Sequence, residues 1–219
     1  PYPVHRKSMI AIFDTIENAS TAVSDIIASR IIPATLEMMD NFTIRAVEDF
    51  SRAGLPVEAG ALLLIEVDGH PGQVEEDAAK VVTICEKHHA KSTRTAETEE
   101  ERTKVWSARR SALSALAKIK PTLVLEDATV PRSRIPEMVA GLARITDKYG
   151  LTIGTFGHAG DGNLHPTILT DARDKDEWIK VENAIEDIFD CALALGGTLS
   201  GEHGTGIAKA AFLENEIGR

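Results

Sequence analysis

Short apolar runs alternate with amphipathic stretches from one end of the chain to the other. Residues 8–13 predict a strand, and 16–31 a helix with Ala19, Val23, Ile26, Ile27 and Arg30 spaced along it. A short strand follows at 36–39, then a helix at 42–52 ended by Gly54 and Pro56. Residues 61–67, apolar but for Glu66, form a strand closed by Asp68-Gly69. The helix 74–89 leads into an extended piece at 91–95. A long helix is expected over 99–119, opened by Thr98 with Glu101 three residues on, the pattern of a capping box. A strand at 122–126 precedes Ile135, Met138, Val139, Leu142 and Ile145, whose spacing is that of an amphipathic helix. Two strands, 152–158 and 163–169, are joined by a Gly-rich turn. A last long helix covers 174–195, before a Gly-rich stretch up to Gly206.

Neighbouring strands are thus joined by a helix or, once, by a hairpin. This mixture predicts an α+β fold: two tandem ferredoxin-like (βαββαβ) halves forming a largely antiparallel sheet with helices packed on one face. A parallel doubly wound sheet is the rival, and the hairpin counts against it. With 219 residues, 43% of them hydrophobic and 26% charged, the chain has the composition of a protein with a substantial core. Its longest apolar run, from Ala61 to Ile65, is far too short to span a bilayer. The net charge of −10 argues against nucleic-acid binding by a basic face. The two cysteines, Cys85 and Cys191, lie in helical patterns and suggest a reduced, cytoplasmic chain. No signal sequence opens it. The sequons at Asn18 and Asn41, lacking a secretory context, are taken as chance. The opening Pro1-Tyr2-Pro3, without an initiator Met, has the look of a chain cut from something longer.

Candidate chemistry concentrates in the two Gly-rich segments, 156–166 and 196–206, which hold three of the seven histidines. If a two- or four-residue turn links the hairpin strands, His158, Asn163 and His165 share one face, because side chains alternate with period two. The two imidazoles are then cross-strand or diagonal neighbours, about 5–8 Å apart. A three-residue turn would set them on opposite faces. Two neighbouring imidazoles with a carboxylate make a divalent-metal site, and Glu202 is the candidate carboxylate. The spacing alone is a weak pattern; the competing explanation is two half-exposed strand histidines beside a turn. His203 diverges from its neighbour Glu202 and suits a general base, against a loop histidine of no catalytic role. Gly201, Gly204 and Gly206 are in the wrong order for a dinucleotide fingerprint and instead permit close backbone approach.

On the helix 99–119 the apolar arc contains Val105, Ala108, Ala112, Leu113, Leu116 and Ile119, and Arg109 projects near its middle. A guanidinium there needs an anionic partner. The choices are an internal salt bridge to one of the 34 acidic residues or a clamp for a substrate carboxylate. Trp106 suits core packing, and Asp127, after a strand end and before Pro131, suits turn chemistry.

The segments GHAGDGNLHP (157–166) and SGEHGTGIAK (200–209) resemble the C-terminal region of the FAD-linked oxidases that act on 2-hydroxy acids, of the glycolate oxidase and D-lactate dehydrogenase type. IIPATLEMMD (31–40), VWSARR (105–110) and EDATVPRSRIP (126–136) support it in order and spacing. The resemblance implies two ferredoxin-like halves capping a flavin. It implies His158, His165 and Glu202 as divalent-metal ligands, zinc in one branch of the family. It implies His203 as the base that takes the substrate hydroxyl proton while hydride passes to FAD, Arg109 as the holder of the substrate carboxylate, and Asn163 as a polar group beside the site. The expected function is the substrate- and metal-binding region of a FAD-dependent 2-hydroxy-acid dehydrogenase oxidising glycolate or D-lactate, inactive alone. The alternative is a non-catalytic metal-binding or interaction module that uses the same histidines structurally. Implied partners are the small 2-hydroxy acid, a separate FAD-binding domain that residues 1–219 do not contain, and other oxidase subunits or an electron acceptor, which could tie the chain to a membrane. Where some members carry a lysine before Asp127, this chain has Leu125, which removes a cation that a second substrate carboxylate would need. The final helix after Lys209 is expected to be short, since the sequence stops at Arg219.

Overall fold

A computed structural model describes residues 5–96 and 98–218. The expectation attached to Pro1-Tyr2-Pro3 lies outside the described residues. Strand β1 (His5–Phe13), helix α1 (Ile16–Ala28), strand β2 (Thr35–Asp40), helix α2 (Asn41–Ser51) and strand β3 (Ala61–Gly69) open the chain. Helix α3 (Pro71–Lys87) and strand β4 (Ala90–Thr95) complete a first half. Its strand order is β4-β1-β3-β2, with every pairing antiparallel. That order is the ferredoxin-like arrangement expected from the sequence, a βαββαβ unit with α2 inserted between β2 and β3.

Helices α4 (Glu99–Arg110) and α5 (Ala112–Leu116) then lead to strands β5 (Thr122–Leu125) and β6 (Ala128–Thr129). Helix α6 (Ile135–Tyr149), strands β7 (Thr152–His158) and β8 (Asn163–Thr170) and helix α7 (Lys175–Ala194) follow. A short helix α8 (Leu213–Ile217) lies near the end. The second half repeats the first: β7 pairs β8, and β8 pairs both β5 and β6. Its fourth strand is reduced to one bridge, Thr129 to Thr198. The halves join edge to edge through two residue pairs, Met38 with Gly157 and Met39 with Phe156, giving an eight-stranded sheet. At that seam the Asp40 carboxylate accepts from the Thr155 N–H at 2.7 Å, extending the ladder with a side chain.

Helices α1, α3, α6 and α7 pack on one face, where Phe13, Val23, Ile65, Val81, Met138 and Phe189 form one core. The shorter α2, α4 and α5 cover part of the other face, over Ile10, Met39, Leu62 and Leu64. The run 61–67 is apolar but for Glu66 because β3 is buried on both sides, and Glu66 accepts from the Ser8 hydroxyl and from Arg102. Local signals set the ends. Thr15, Asp40, Thr98 and Asp174 cap the N-termini of α1, α2, α4 and α7 with side-chain oxygens, and Gly150 (φ 63°) ends α6 in the left-handed region.

Three of the boundaries that differ from expectation have a visible local cause. The helix 16–31 stops at Ala28, because Arg30 turns left-handed (φ 62°) ahead of Pro33. The helix 99–119 breaks at Ser111, whose hydroxyl donates to the Ala108 carbonyl at 2.7 Å. The strand 122–126 is interrupted at Glu126-Asp127, and β6 resumes pairing with β8 beyond it. Among the described residues no helix is long and apolar enough to cross a membrane.

Candidate functional site

Four residues, 159–162, link β7 to β8, with Gly162 left-handed (φ 80°) at the end of a 3-10 turn. Parity therefore places His158 opposite Asn163 and Phe156 opposite His165, so all four share one face. This is the face of α4. Phe156 lies in the core beneath that helix, while Leu164, between Asn163 and His165, points to the opposite core. The imidazoles of His158 and His165 are 5.3 Å apart edge to face, inside the expected range.

The segment 200–203 closes over this face because one carboxylate organises it. Asp127, fully buried, accepts through one oxygen from the Ser200 hydroxyl (2.7 Å) and from the N–H groups of Gly201 (3.0 Å), Glu202 (2.9 Å) and His203 (2.8 Å). Burial alone would raise the Asp127 pKa. The four donors outweigh it, led by the backbone N–H of His203 and Glu202, and hold the carboxyl well below its usual range. Only glycine fits at 201, where a Cβ would collide with the Thr129 hydroxyl and the Asn163 amide. Lys209 ties the far end of the segment, donating to the Leu199 carbonyl at 2.6 Å, with Glu126 3.7 Å away. Burial pushes the Glu126 pKa up, against the pull of the Lys209 charge.

So held, Glu202 directs Oε1 into the histidine pair: 3.0 Å from His158 Nε2, 3.7 Å from His165 Nε2, and accepting from Asn163 Nδ2 at 3.0 Å. The ring of His203 stacks on His165, centroids 5.2 Å apart and planes 14° from parallel. Its Nδ1 is 3.9 Å from Asp127. Burial and the neighbouring His158 lower the His165 pKa, whereas the hydrogen bond to Glu37 raises that of His158. The two imidazoles are thereby pushed toward opposite protonation states.

Arg109 is buried, as its place in the apolar arc requires, and its anionic partner is Glu37 of β2. Nε and Nη2 both donate to Glu37 Oε2, at 3.0 and 2.7 Å. Glu37 Oε1 in turn accepts from His158 Nδ1 at 2.7 Å. The guanidinium also lies 4.8 Å over the Phe156 ring. Trp106 packs against the core under α4, as expected.

The structure thus gathers His158, Asn163, His165, Glu202 and His203 at one spot, and joins Arg109 to it through Glu37. Two participants carried no assigned role in the sequence: Glu37, and Asp127 as the organiser of the segment 200–203. A signal for Glu37 existed, since it is the one charged residue within the buried stretch Leu36-Glu37-Met38-Met39.

The ligand atoms of His158, His165 and Glu202 lie within 4.8 Å of one another, as do those of Asp127, His165 and His203. The first trio suits a divalent ion. It offers two imidazoles and a carboxylate, and the far nitrogen of His158 is already held by a carboxylate. Among the described residues no fourth such ligand atom joins it. Buried polar atoms without a partner among these residues also cluster here: His165 Nδ1, Asn163 Oδ1, Asp127 Oδ1 and Thr129 Oγ1.

A sequence profile described as "FAD linked oxidases, C-terminal domain" matches residues 2–219. The glycolate oxidase subunit GlcD of Bacillus subtilis is 54% identical over 217 residues, 99% of this chain and 46% of that protein. GlcD of Escherichia coli is 44% identical, over 99% of this chain and 44% of its own. A probable mitochondrial D-lactate dehydrogenase of Danio rerio is 30% identical, over 99% of this chain and 44% of its own. The chain spans less than half the length of these relatives. Among solved structures, p-cresol methylhydroxylase with substrate bound aligns at a TM-score of 0.62 and 15% identity, over 90% of this chain and 45% of that one. Alkyldihydroxyacetonephosphate synthase aligns at 0.59 and 16%, over 99% and 44%. At such identities these two likenesses speak to the fold alone.

Proposed function

Since the chain belongs to the family of FAD-linked oxidase C-terminal domains, and its relatives are named as oxidoreductases, we propose that it forms the substrate-facing region of a FAD-dependent 2-hydroxy-acid oxidoreductase. Glycolate or D-lactate is the substrate and the 2-oxo acid the product. The observation that carries this reading is the convergence of His158, His165, Glu202 and His203, from separate segments, on the space around one carboxylate oxygen.

In this reading Arg109 and Asn163 bind and orient the substrate. A guanidinium has five N–H donors, so pairing with Glu37 does not exhaust it, and its planar fork suits a carboxylate. His203 receives the hydroxyl proton at an imidazole nitrogen, in a position fixed by Asp127 through the backbone. His158, His165 and Glu202 hold a divalent ion, zinc being the first to test. When bound, the ion favours ionisation of the hydroxyl and the flavin accepts the hydride from the α-carbon. The chain covers less than half of its relatives' length, so a flavin domain would lie outside it, and other oxidase subunits or a further electron acceptor would take the electrons. The unpaired thiols Cys85 and Cys191 accord with a cytoplasmic setting.

A non-catalytic metal module is the competing reading. A structural site is closed by four protein ligands, whereas three leave a position open, and the trio favours the open kind. The test is anaerobic reduction of the flavin in the full-length protein. Glycolate or D-lactate is expected to bleach it, and failure of 2-hydroxy acids to do so overturns the proposal. The isolated chain is expected to be colourless; a flavin absorbance band would show that it holds FAD by itself.

A further inference from the structure

Among the described residues, Glu37 alone hydrogen-bonds both the candidate anion clamp and a member of the candidate ligand trio. It sits on β2 in the first half, 95% shielded from solvent, and its two oxygens are divided. Oε2 takes both donors of Arg109 from α4, and Oε1 takes Nδ1 of His158 from β7 across the seam. Both His158 nitrogens face a carboxylate, and a carboxylate only accepts. The single proton of the neutral ring goes to Nδ1 because Glu37 is nearer (2.7 against 3.0 Å) and buried, whereas Glu202 is half-exposed and solvated. That leaves Nε2, 3.0 Å from Glu202, as the nitrogen with a lone pair whenever the ring is neutral. A histidine binds metal through such a lone pair, and the partner of its other nitrogen decides which one that is.

We propose that Glu37 is a positioning residue: by accepting from His158 and Arg109 together, it fixes the imidazole as the Nδ1–H tautomer with Nε2 toward Glu202 and holds the guanidinium beside it. The metal arm of this inference rests on the reading of the trio given above; the tautomer arm does not.

Glu37→Gln is the discriminating variant because it keeps shape and volume. Its single carbonyl oxygen is claimed by the buried guanidinium, which has no other acceptor among the described residues. The amide NH2 then faces His158 and forces Nδ1 to accept. The proton moves to Nε2, and the lone pair toward Glu202 is gone.

The experiment uses the full-length protein and has two readouts. In alkaline buffer without metal, where the ring is neutral, 15N spectra of labelled histidine are expected to show His158 as Nδ1–H in the wild type and as Nε2–H in Glu37→Gln. The resonance is assigned by its loss in His158→Gln. Zinc affinity, measured by competition with a chromophoric chelator, is expected to fall about 10–100-fold in Glu37→Gln. An Nε2–H tautomer in the wild type, a result that does not depend on Glu37→Gln folding, overturns the proposal. So does an unchanged tautomer in Glu37→Gln, or a switched tautomer with unchanged zinc affinity. If the wild type binds no zinc while the tautomers behave as expected, the metal reading fails and the positioning role stands.

Discussion

The two halves of the molecule share one topology and use its last position differently. In the first, β4 pairs with β1 over Met9 to Phe13, and its edge is a ladder broken by one register shift, between Ile12 and Phe13. In the second, the matching strand shrinks to the bridge between Thr129 and Thr198, and the chain beyond it runs free of the sheet. The backbone N–H groups that would have entered a ladder go instead to the Asp127 carboxylate. A ladder points successive side chains to opposite faces, whereas three N–H groups converging on one oxygen curl the chain around it. That curl brings Glu202 against His158 and His165 and stacks His203 over His165. One half closes its sheet; the other trades closure for a loop whose geometry a single carboxylate sets.

The largest effect should come from removing that carboxylate. Asp127→Ala leaves four donors without an acceptor, at about 1–3 kcal/mol each when buried. We expect stability to fall by roughly 4 kcal/mol, with faster amide exchange at Gly201, Glu202 and His203 and a loss of turnover at least as great as that of His203→Ala. A variant with normal exchange at 201–203 would mean that the loop holds itself.

Next is His203→Ala in the full-length enzyme, where turnover should fall about 10²–10⁴-fold with little change in substrate binding. Steady-state kcat and KM decide it, and an unchanged kcat removes His203 from proton transfer.

Smaller, and located at the seam, is a pH effect. Burial raises the Asp40 carboxyl from its ordinary 3.8 to about 6, its hydrogen bonds from Thr43 and Thr155 notwithstanding. The folded state therefore binds the proton more tightly than the unfolded one. Its contribution to stability grows as pH falls through about 6, is complete below 3.8, and is absent above about 6. The span is of order 3 kcal/mol. Urea unfolding midpoints between about pH 7 and pH 4 should show this limb in the wild type and lose it in Asp40→Asn.

The smallest effect is the control in the first half. Ile65→Val in β3, fully buried beneath α1, should cost about 1 kcal/mol in thermal unfolding and leave kcat and KM as they were. A kinetic change there would mean that the two halves are not separable in function.

Most of this arrangement was legible beforehand wherever a local period carried it. The shared face of His158, Asn163 and His165 followed from a period of two and the turn length. The burial of Arg109 followed from its helical angle. Contacts that span the chain were not legible. Arg109 announces a need for an anion, but nothing local says that Glu37, 72 positions away, meets it. Asp127 looked like turn chemistry because its partners lie 73 to 76 positions on and are mostly backbone groups, which carry no sequence signature. The cover supplied by α2, α4 and α5 to the second face was not legible: the alternation of elements predicted helices on one face, although β3, apolar but for Glu66, is buried on both sides.

The seam between β2 and β7 has a consequence for recombination. Only two backbone pairs cross it, so halves from two related parents could be spliced with little disturbance to the sheet. The Arg109–Glu37–His158 chain crosses the same line, with Glu37 inherited from one parent and His158 from the other. Chimeras that divide positions 37 and 158 between parents of different sequence should fold and yet misplace an imidazole. Positions 37, 109 and 158 are therefore expected to travel through a lineage as one heritable unit, though no two of them are neighbours in the gene.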